Sequence, residues 1–365
     1  MKAAVLRGAN QPLSLEELEL LPPREGEVSV RFAASGVCHS DLSRIEGKRM
    51  QALPIVLGHE AAGVIDGVGP GVTNLALGDH VVLSFLYDCG RCFFCSIGKP
   101  NLCEQGLSML RDGVQMDGTT RLRKGGEVIH HMLISSFGER GVVPARCATK
   151  IPKDVPLHVA ALIGCGVLTG TGSVFNTARV SAGSSVLVIG AGGVGLNVIQ
   201  ACSIVGASVI AVADISDSKL EMARKFGATH LINAKTENVV DKAKELSSGR
   251  GVDYAFEVIG NPATIRQIYD ALRPAGTAVV VGLAPHGTCC EFDASVMPLT
   301  EKVVMGSMYG SFRPVVDIER LVRMYQAKEL KLDELVTKTY RLDQINDAFH
   351  DLHGGALARG VIRYD

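Results

Sequence analysis

The chain has no surplus of either charge: 37 Lys and Arg stand against 38 Asp and Glu, a formal net charge of -1. Without a basic excess there is no electrostatic footprint for nucleic acid or an anionic membrane, so small molecules are the expected partners. A long hydrophobic run is also missing. The most apolar stretch, Val159 to Leu168, is about half as long as a membrane-spanning helix requires, and glycines interrupt it. The short apolar run between Lys2 and Arg7 resembles neither a signal peptide nor a transit sequence, which makes the cytoplasm the expected location. Internal repeats, low-complexity tracts and long disordered linkers are absent too. What remains is an ordinary globular composition, 47% hydrophobic and 21% charged over 365 residues, enough for two domains. There are 10 cysteines. Four of them crowd into Cys89, Cys92, Cys95 and Cys103, a spacing that suits a metal better than a disulfide scaffold and points to reduced thiols.

The texture changes along the chain. The first 150 or so residues are dense in Gly and Pro and carry short β-type runs at Glu27 to Phe32, Gly63 to Ile65 and Asp79 to Leu83, the pattern of a mostly-β lobe. After Ser181, strand-like runs alternate with helical patterns: Val186 to Ile189, Val209 to Ala213, His230 to Asn233, Tyr254 to Val258, Thr277 to Val281 and Lys302 to Met308. Such alternation specifies a parallel sheet covered on both faces by helices, an α/β fold of the doubly wound Rossmann type. Beyond that the chain turns helical and charged and ends in Val361-Ile362-Arg363. The polar, glycine-containing stretch from Cys103 to His130 is expected to be a large surface loop.

The run Val186 to Ile189 leads directly into Gly190-Ala191-Gly192-Gly193-Val194-Gly195, and an apolar helical pattern follows. Here G-x-G-x-x-G stands in its strand-to-helix context. The first glycine makes the tight turn, the second lets the backbone approach a pyrophosphate, and the third lets helix pack on strand, while the helix N-terminus offers amides to the phosphates. At the end of the next strand stands Asp214, whose carboxylate would accept from the adenosine ribose hydroxyls and repel a 2'-phosphate. NAD is therefore expected over NADP.

Four thiols in Cys89-x2-Cys92-x2-Cys95-x7-Cys103 can close a tetrahedral shell, leaving no position for a substrate, so a zinc there is expected to be structural. A catalytic zinc needs three protein ligands and one exchangeable position, drawn from the remaining Cys and His. Candidates lie in Gly36-Val37-Cys38-His39-Ser40-Asp41, Gly58-His59-Glu60-Ala61-Ala62-Gly63 and Gly164-Cys165-Gly166, each with a ligand-capable residue among small ones. Taken singly they are weak, because a lone Cys is more often a small buried hydrophobe and a lone His a satisfied core residue.

Together, in this order and over almost the full length, these motifs resemble the zinc-containing alcohol dehydrogenases of the medium-chain dehydrogenase/reductase superfamily. The resemblance implies a GroES-like, mostly-β catalytic domain over 1–166 and 309–365 and a Rossmann NAD-binding domain over 167–308. It implies two zinc ions per subunit, with Cys38, His59 and Cys165 holding the catalytic one, Glu60 beside it and Asp41 orienting His59. It implies a zinc-polarised alcohol, hydride transfer to NAD, and Ser40 as the first proton acceptor, unless Ser40 merely caps a turn. His39 and Arg359 would meet the pyrophosphate beside the cofactor loop of Gly190, Gly192, Gly193 and Gly195, Val194 and Thr169 the nicotinamide, and Asp214 and Lys219 the adenosine ribose. Phe85, Met132, Leu133, Leu283 and Met308 would line an apolar substrate pocket, or equally serve as core residues.

Departures from the family pattern matter as well. Ser43 stands where many relatives carry a histidine that passes the proton to solvent, so water or another base must complete the relay. Glu104-Gln105-Gly106-Leu107 lacks the arginine by which glutathione-linked members hold their substrate. The length of the segment after Cys103 resembles the dimeric members, and a homodimer pairing through Lys302 to Met308 is expected. Two alternatives stay open: a catalytically idle structural or redox-sensing relative, and a dismutase or acceptor-dependent enzyme that never releases its cofactor.

Overall fold

The computed structural model describes residues 1–49, 51–355 and 357–364. The chain divides into two units, Met1–Gly166 with Arg313–Asp365, and Val167–Phe312.

The second unit is the doubly wound one. Its six strands lie in the order His230–Asn233, Val209–Asp214, Ser185–Ile189, Val252–Glu257, Leu272–Val280 and Val303–Gly306, all parallel. That spatial order, 3-2-1-4-5-6 in chain sequence, is the dinucleotide-fold order. Leu187, Ile189, Ala211, Ala213, Ala255 and Ala278 are buried in its core, as near-continuous apolar runs require when helices cover both faces. Two of its helices begin where the sequence supplies caps. Asn238 accepts from the amides of Val240 (3.0 Å) and Asp241 (3.2 Å) to open helix Val239–Leu246. Asn261 accepts from Ala263 (2.8 Å), with Pro262 in the first turn of Pro262–Asp270.

The first unit is mostly β. The long strand Glu27–Val37 pairs with Ala61–Val68, Arg140–Pro144 and Arg359–Arg363, all antiparallel, and Ala61–Val68 pairs in turn with His80–Leu83. A second sheet runs Ser14–Glu17, Lys2–Leu6, Ile55–Val56, Glu127–His131, Leu122–Lys124 and Glu19–Leu20. Residues from opposite ends of the sequence thus share one sheet, and the C-terminal strand lies beside the strand that leads to Cys38.

The stretch after Cys103 corrects the expectation of a surface loop. It forms helix Glu104–Asp112 and strands Leu122–Lys124 and Glu127–His131. Some of its polar residues are inside because they are paired: Arg121, fully buried, donates Nε and Nη2 to the Glu27 carboxylate at 2.8 and 2.6 Å. His131, also buried, accepts the Arg121 amide at Nε2 (2.8 Å). At Arg121 and His131 polarity in the sequence marked satisfied burial rather than exposure. The return crossing into the first unit falls at Phe312/Arg313, after Tyr309–Ser311, because that turn packs against the helical segment 166–178. A Cβ on Gly172 would lie 2.8 Å from Gly310 Cα.

Among the described residues no single helix is long and apolar enough to cross a membrane.

Candidate metal centre and nucleotide loop

Three strand ends bring the first site together. Cys38 follows strand Glu27–Val37 directly and caps the short helix His39–Ile45. His59 and Glu60 precede strand Ala61–Val68, whose Ala61 is registered against Ser35, and the Gly36 amide donates to the Glu60 carbonyl (2.8 Å). Arg359 begins strand Arg359–Arg363, whose Gly360 is registered against Val37. Cys165 follows the one-turn 3-10 segment Ala161–Gly164, in which a Cβ on Gly164 would lie 2.5 Å from the Leu83 carbonyl oxygen.

Cys38, His59, Glu60 and Cys165 offer ligand atoms all within 4.8 Å of one another, and all four residues are buried. Asp41, 0% exposed, accepts at Oδ1 from His59 Nδ1 (3.1 Å) and from the Gly58 amide (3.1 Å), with its Oδ2 3.0 Å from the same ring nitrogen. His59 Nε2 is buried with no hydrogen-bond partner. A buried imidazole nitrogen left open while its ring is fixed from behind by a carboxylate is the arrangement of a metal-bound histidine. The local field asks for positive charge: burial opposes a proton on His59, but Asp41 and the Cys38 thiol outweigh it and raise its pKa. Two thiols, one imidazole and a closely held carboxylate therefore fit a zinc ion with one exchangeable position.

Glu60 and Arg359 lie side by side. Arg359 Nη1 is 3.0 Å from Glu60 Oε1, both residues are buried, and the contact is an ion pair in distance without hydrogen-bond alignment. Burial pushes the Glu60 carboxyl up to about 7, against the pull of Arg359. Burial works against the charge of Arg359 too, yet Glu60 and the two thiols raise its pKa above the usual value. Gly36 and Gly166 make room for the pair: a Cβ on Gly36 would collide with the Glu60 carboxylate, and one on Gly166 with the Arg359 guanidinium. The guanidinium of Arg359, expected to meet the pyrophosphate, lies beside Glu60. Gly58 sits at φ +94°, which lets the chain pass Phe137 and Ser136 and turn His59 inward.

The cysteine lobe forms a second centre. Cys89, Cys92, Cys95 and Cys103 converge within 4.8 Å. The amides of Cys89 (3.2 Å) and Gly106 (3.4 Å) donate to Cys103 Sγ, and the Cys92 amide donates to Cys89 Sγ (3.3 Å). Amides aimed at sulfur favour thiolate, the ligand form for zinc.

In the other unit, strand Ser185–Ile189 feeds the glycine loop. Gly190 has φ +106°, and a Cβ on Gly195 would collide with the Gly190 carbonyl oxygen, so the turn and the helix packing both need glycine. A Cβ on Gly192 would meet nothing within 4 Å, and helix Gly193–Ile204 begins with no side-chain cap. An open approach to an uncapped helix N-terminus fits a phosphate group. Asp214 accepts from the Ala191 amide (2.8 Å) and the Ser216 amide (3.0 Å) at the mouth of this loop. Lys219, half-buried, lies in the first turn of helix Asp217–Lys225. Val194 and Thr169 are half-buried in this unit, and a Cβ on Gly170 would lie 2.6 Å from the Val194 carbonyl oxygen.

The other expected residues divide. His39 is exposed and Ser40 half-buried on the Cys38 helix. Phe85 sits edge-on to the His59 ring, centroids 5.2 Å apart. Met132 and Leu133 are 3% and 0% exposed and belong to two different cores, Met132 with Val5, Ile55 and Phe137, Leu133 with Tyr87, Met109 and Cys147. Of the two readings given for them, packing is the one observed. Leu283 is 60% exposed and Met308 half-buried in the other unit. Sequence reasoning passed over Glu257. Fully buried at the end of its strand, it accepts from the amides of Ile259 (3.0 Å) and Gly260 (2.8 Å) and from the Thr264 hydroxyl (2.8 Å). An acid closing an apolar strand just before Gly260-Asn261-Pro262 was the available signal.

Both halves match known family models: residues 24–153 an alcohol dehydrogenase GroES-like domain, and residues 193–354 a zinc-binding dehydrogenase domain. The chain belongs to the zinc-containing alcohol dehydrogenases of the medium-chain dehydrogenase/reductase superfamily. It is 42% identical to an NDMA-dependent alcohol dehydrogenase of Amycolatopsis methanolica, over 100% of this chain and 98% of that one. With the class-3 alcohol dehydrogenase of Drosophila melanogaster it shares 41% identity, over 100% and 97%. The crystal structure of benzyl alcohol dehydrogenase from Acinetobacter calcoaceticus superposes with a TM-score of 0.95 at 37% identity, covering 100% of this chain and 99% of that one. As a family member this alcohol dehydrogenase has zinc and a nucleotide cofactor as its resident groups, and the two donor sets and the glycine loop fit them.

Proposed function

We propose that this alcohol dehydrogenase reversibly oxidises a hydrophobic or aromatic primary or secondary alcohol, passing the hydride to NAD, and that it works as a cytoplasmic homodimer with two zinc ions per subunit. The contrast between its two donor sets carries the reading: one is all thiol and closed, while the other leaves His59 Nε2 unpartnered beside two thiols. When bound, zinc supplies Lewis acidity and NAD the hydride acceptor. Asp41 holds the His59 ring with Nδ1 protonated, so that Nε2 points at the metal position. Ser40, two residues after Cys38, takes the alcohol proton and hands it to water, since Ser43 offers no imidazole. Phe85 contributes the apolar wall on the His59 side. Asp214 favours NAD by repelling a 2'-phosphate.

The direct test measures zinc per subunit together with NADH formation from primary, secondary and aromatic alcohols. Two zinc ions with NADH formation supports the proposal; one zinc and no turnover leaves only the cysteine lobe and favours an idle relative. The 42% identity to an NDMA-dependent enzyme favours a second reading, in which the nucleotide is never released. Heating the purified protein decides it. One nucleotide freed per subunit, with turnover only in the presence of an artificial acceptor, selects the retained-cofactor form.

A further inference from the structure

Within the unit Val167–Phe312, four hydroxyls join the segment 166–178 to the end of the last parallel strand. Ser173 Oγ donates to the Thr169 carbonyl (2.6 Å) and lies 2.8 Å from Ser307 Oγ. Ser307 Oγ lies 2.9 Å from Thr177 Oγ1, and Thr177 Oγ1 lies 2.8 Å from Ser311 Oγ. Each hydroxyl has one proton. Because the Ser173 proton goes to Thr169, Ser307 must donate to Ser173, Thr177 to Ser307, and Ser311 to Thr177. The chain is thus polarised in one direction. It ends on a carbonyl, which has no proton to release, so it does not serve as a proton relay.

The surroundings show a segment held in place at some cost. Ser173–Ala178 is a π-helix, a form concentrated at functional sites. Tyr309, Gly310 and Ser311 have φ of 54°, 66° and 49°, a left-handed run that residues with side chains seldom adopt. Gly172 and Gly310 pass so closely that neither has space for a Cβ. Ser307 is 7% exposed and Ser173 fully buried. The strand end that carries Ser307 and Met308 lies at the carboxyl edge of the sheet, the edge where doubly wound folds bind nucleotides.

We propose that Ser173, Ser307, Thr177 and Ser311 are positioning residues for the nicotinamide end of the cofactor, fixing the helix that carries Thr169 against the strand end that carries Met308. This rests on the NAD reading above. Breaking the middle link lets the two walls drift, and small displacements of the hydride acceptor are costly to the chemical step but cheap for binding through the remote adenosine.

The experiment compares wild type with Ser307→Ala, Ser307→Thr and Ser311→Ala by NADH fluorescence titration and steady-state kinetics. Ser307→Ala is expected to lower kcat roughly tenfold with a smaller change in KM for NAD, and to move the emission of bound NADH toward that of free NADH. Ser307→Thr, which keeps the hydroxyl, restores both, and Ser311→Ala shows a milder loss in the same direction while keeping the inner links. Wild-type kcat and emission in folded Ser307→Ala would overturn the proposal, as would a loss that Ser307→Thr does not restore. If Ser307→Ala does not fold, Ser311→Ala with unchanged emission and kcat overturns it. A flat titration of the wild type with NADH, when heating also frees no bound nucleotide, is a different result: it removes the nucleotide reading itself, and this inference with it.

Discussion

At the metal centre the charges that matter belong to single residues. Asp41 is the only acid hydrogen-bonded to His59 among the described contacts, and its charge both fixes the ring and raises its affinity for a cation. Asp41→Asn keeps the size and the acceptor for the Gly58 amide but removes the charge. It is expected to weaken retention of the catalytic zinc about 10- to 100-fold, measured as zinc remaining after graded chelator dialysis, while the zinc of the cysteine lobe stays. Equal loss from both sites, or from neither, would count against the assignment. At this scale the sequence was legible where ligands are local. The spacing of Cys89 to Cys103 declared a shell by itself, and G-x-G-x-x-G declared its turn. Cys38, His59 and Cys165 lie too far apart in the chain for spacing to speak, so family resemblance was needed to gather them. The resemblance did not show that Arg359 lies against Glu60, because that contact depends on two strand registers.

Element by element, the segment 104–131 shows why polarity misleads. Arg121 and Glu27 are each 1% exposed at the side chain, and a buried pair broken on one side leaves an unpaired charge. Arg121→Met is expected to destabilise the Met1–Gly166 unit by about 3 to 5 kcal/mol, read from denaturant unfolding, and adding Glu27→Leu should recover much of it. His131 gives the same element a pH dependence. Burial, then the Arg121 charge, holds its pKa down to about 3, against roughly 6.5 in an unfolded chain. Above pH of about 6.5 neither state binds the proton, so His131 costs nothing. As pH falls below that, the unfolded chain takes up a proton the folded one refuses, and stability drops by up to about 1.4 kcal/mol per pH unit from this residue. His131→Gln, which keeps an acceptor for the Arg121 amide, is expected to make the acid loss between pH 6 and 4 shallower by roughly one proton, as measured by denaturant midpoints across that range. An unchanged slope would place the acid sensitivity elsewhere.

For the whole molecule, the proposed dimer rests on an edge. Strand Val303–Gly306 ends the parallel sheet, and Met297, Leu299 and Val303 near it are 37%, 84% and 44% exposed. Val303→Lys puts a charge on that edge, a common natural guard against strand pairing. The expected result is a shift from dimer to monomer in sedimentation velocity; an unshifted dimer would mean that the subunits meet through another surface. By itself the sequence determined the α/β class, all six parallel strands to within a few residues, the closed thiol shell and the nucleotide turn. Each of these is written in neighbouring residues, as a period, a spacing or a glycine where only glycine fits. Only the tertiary structure decided which acids and bases meet. It paired Glu60 with Arg359 and Arg121 with Glu27, sent Met132 and Leu133 into separate cores, and aligned four hydroxyls from two distant segments, because strand register and layer packing, rather than distance along the chain, set which side chains share a site.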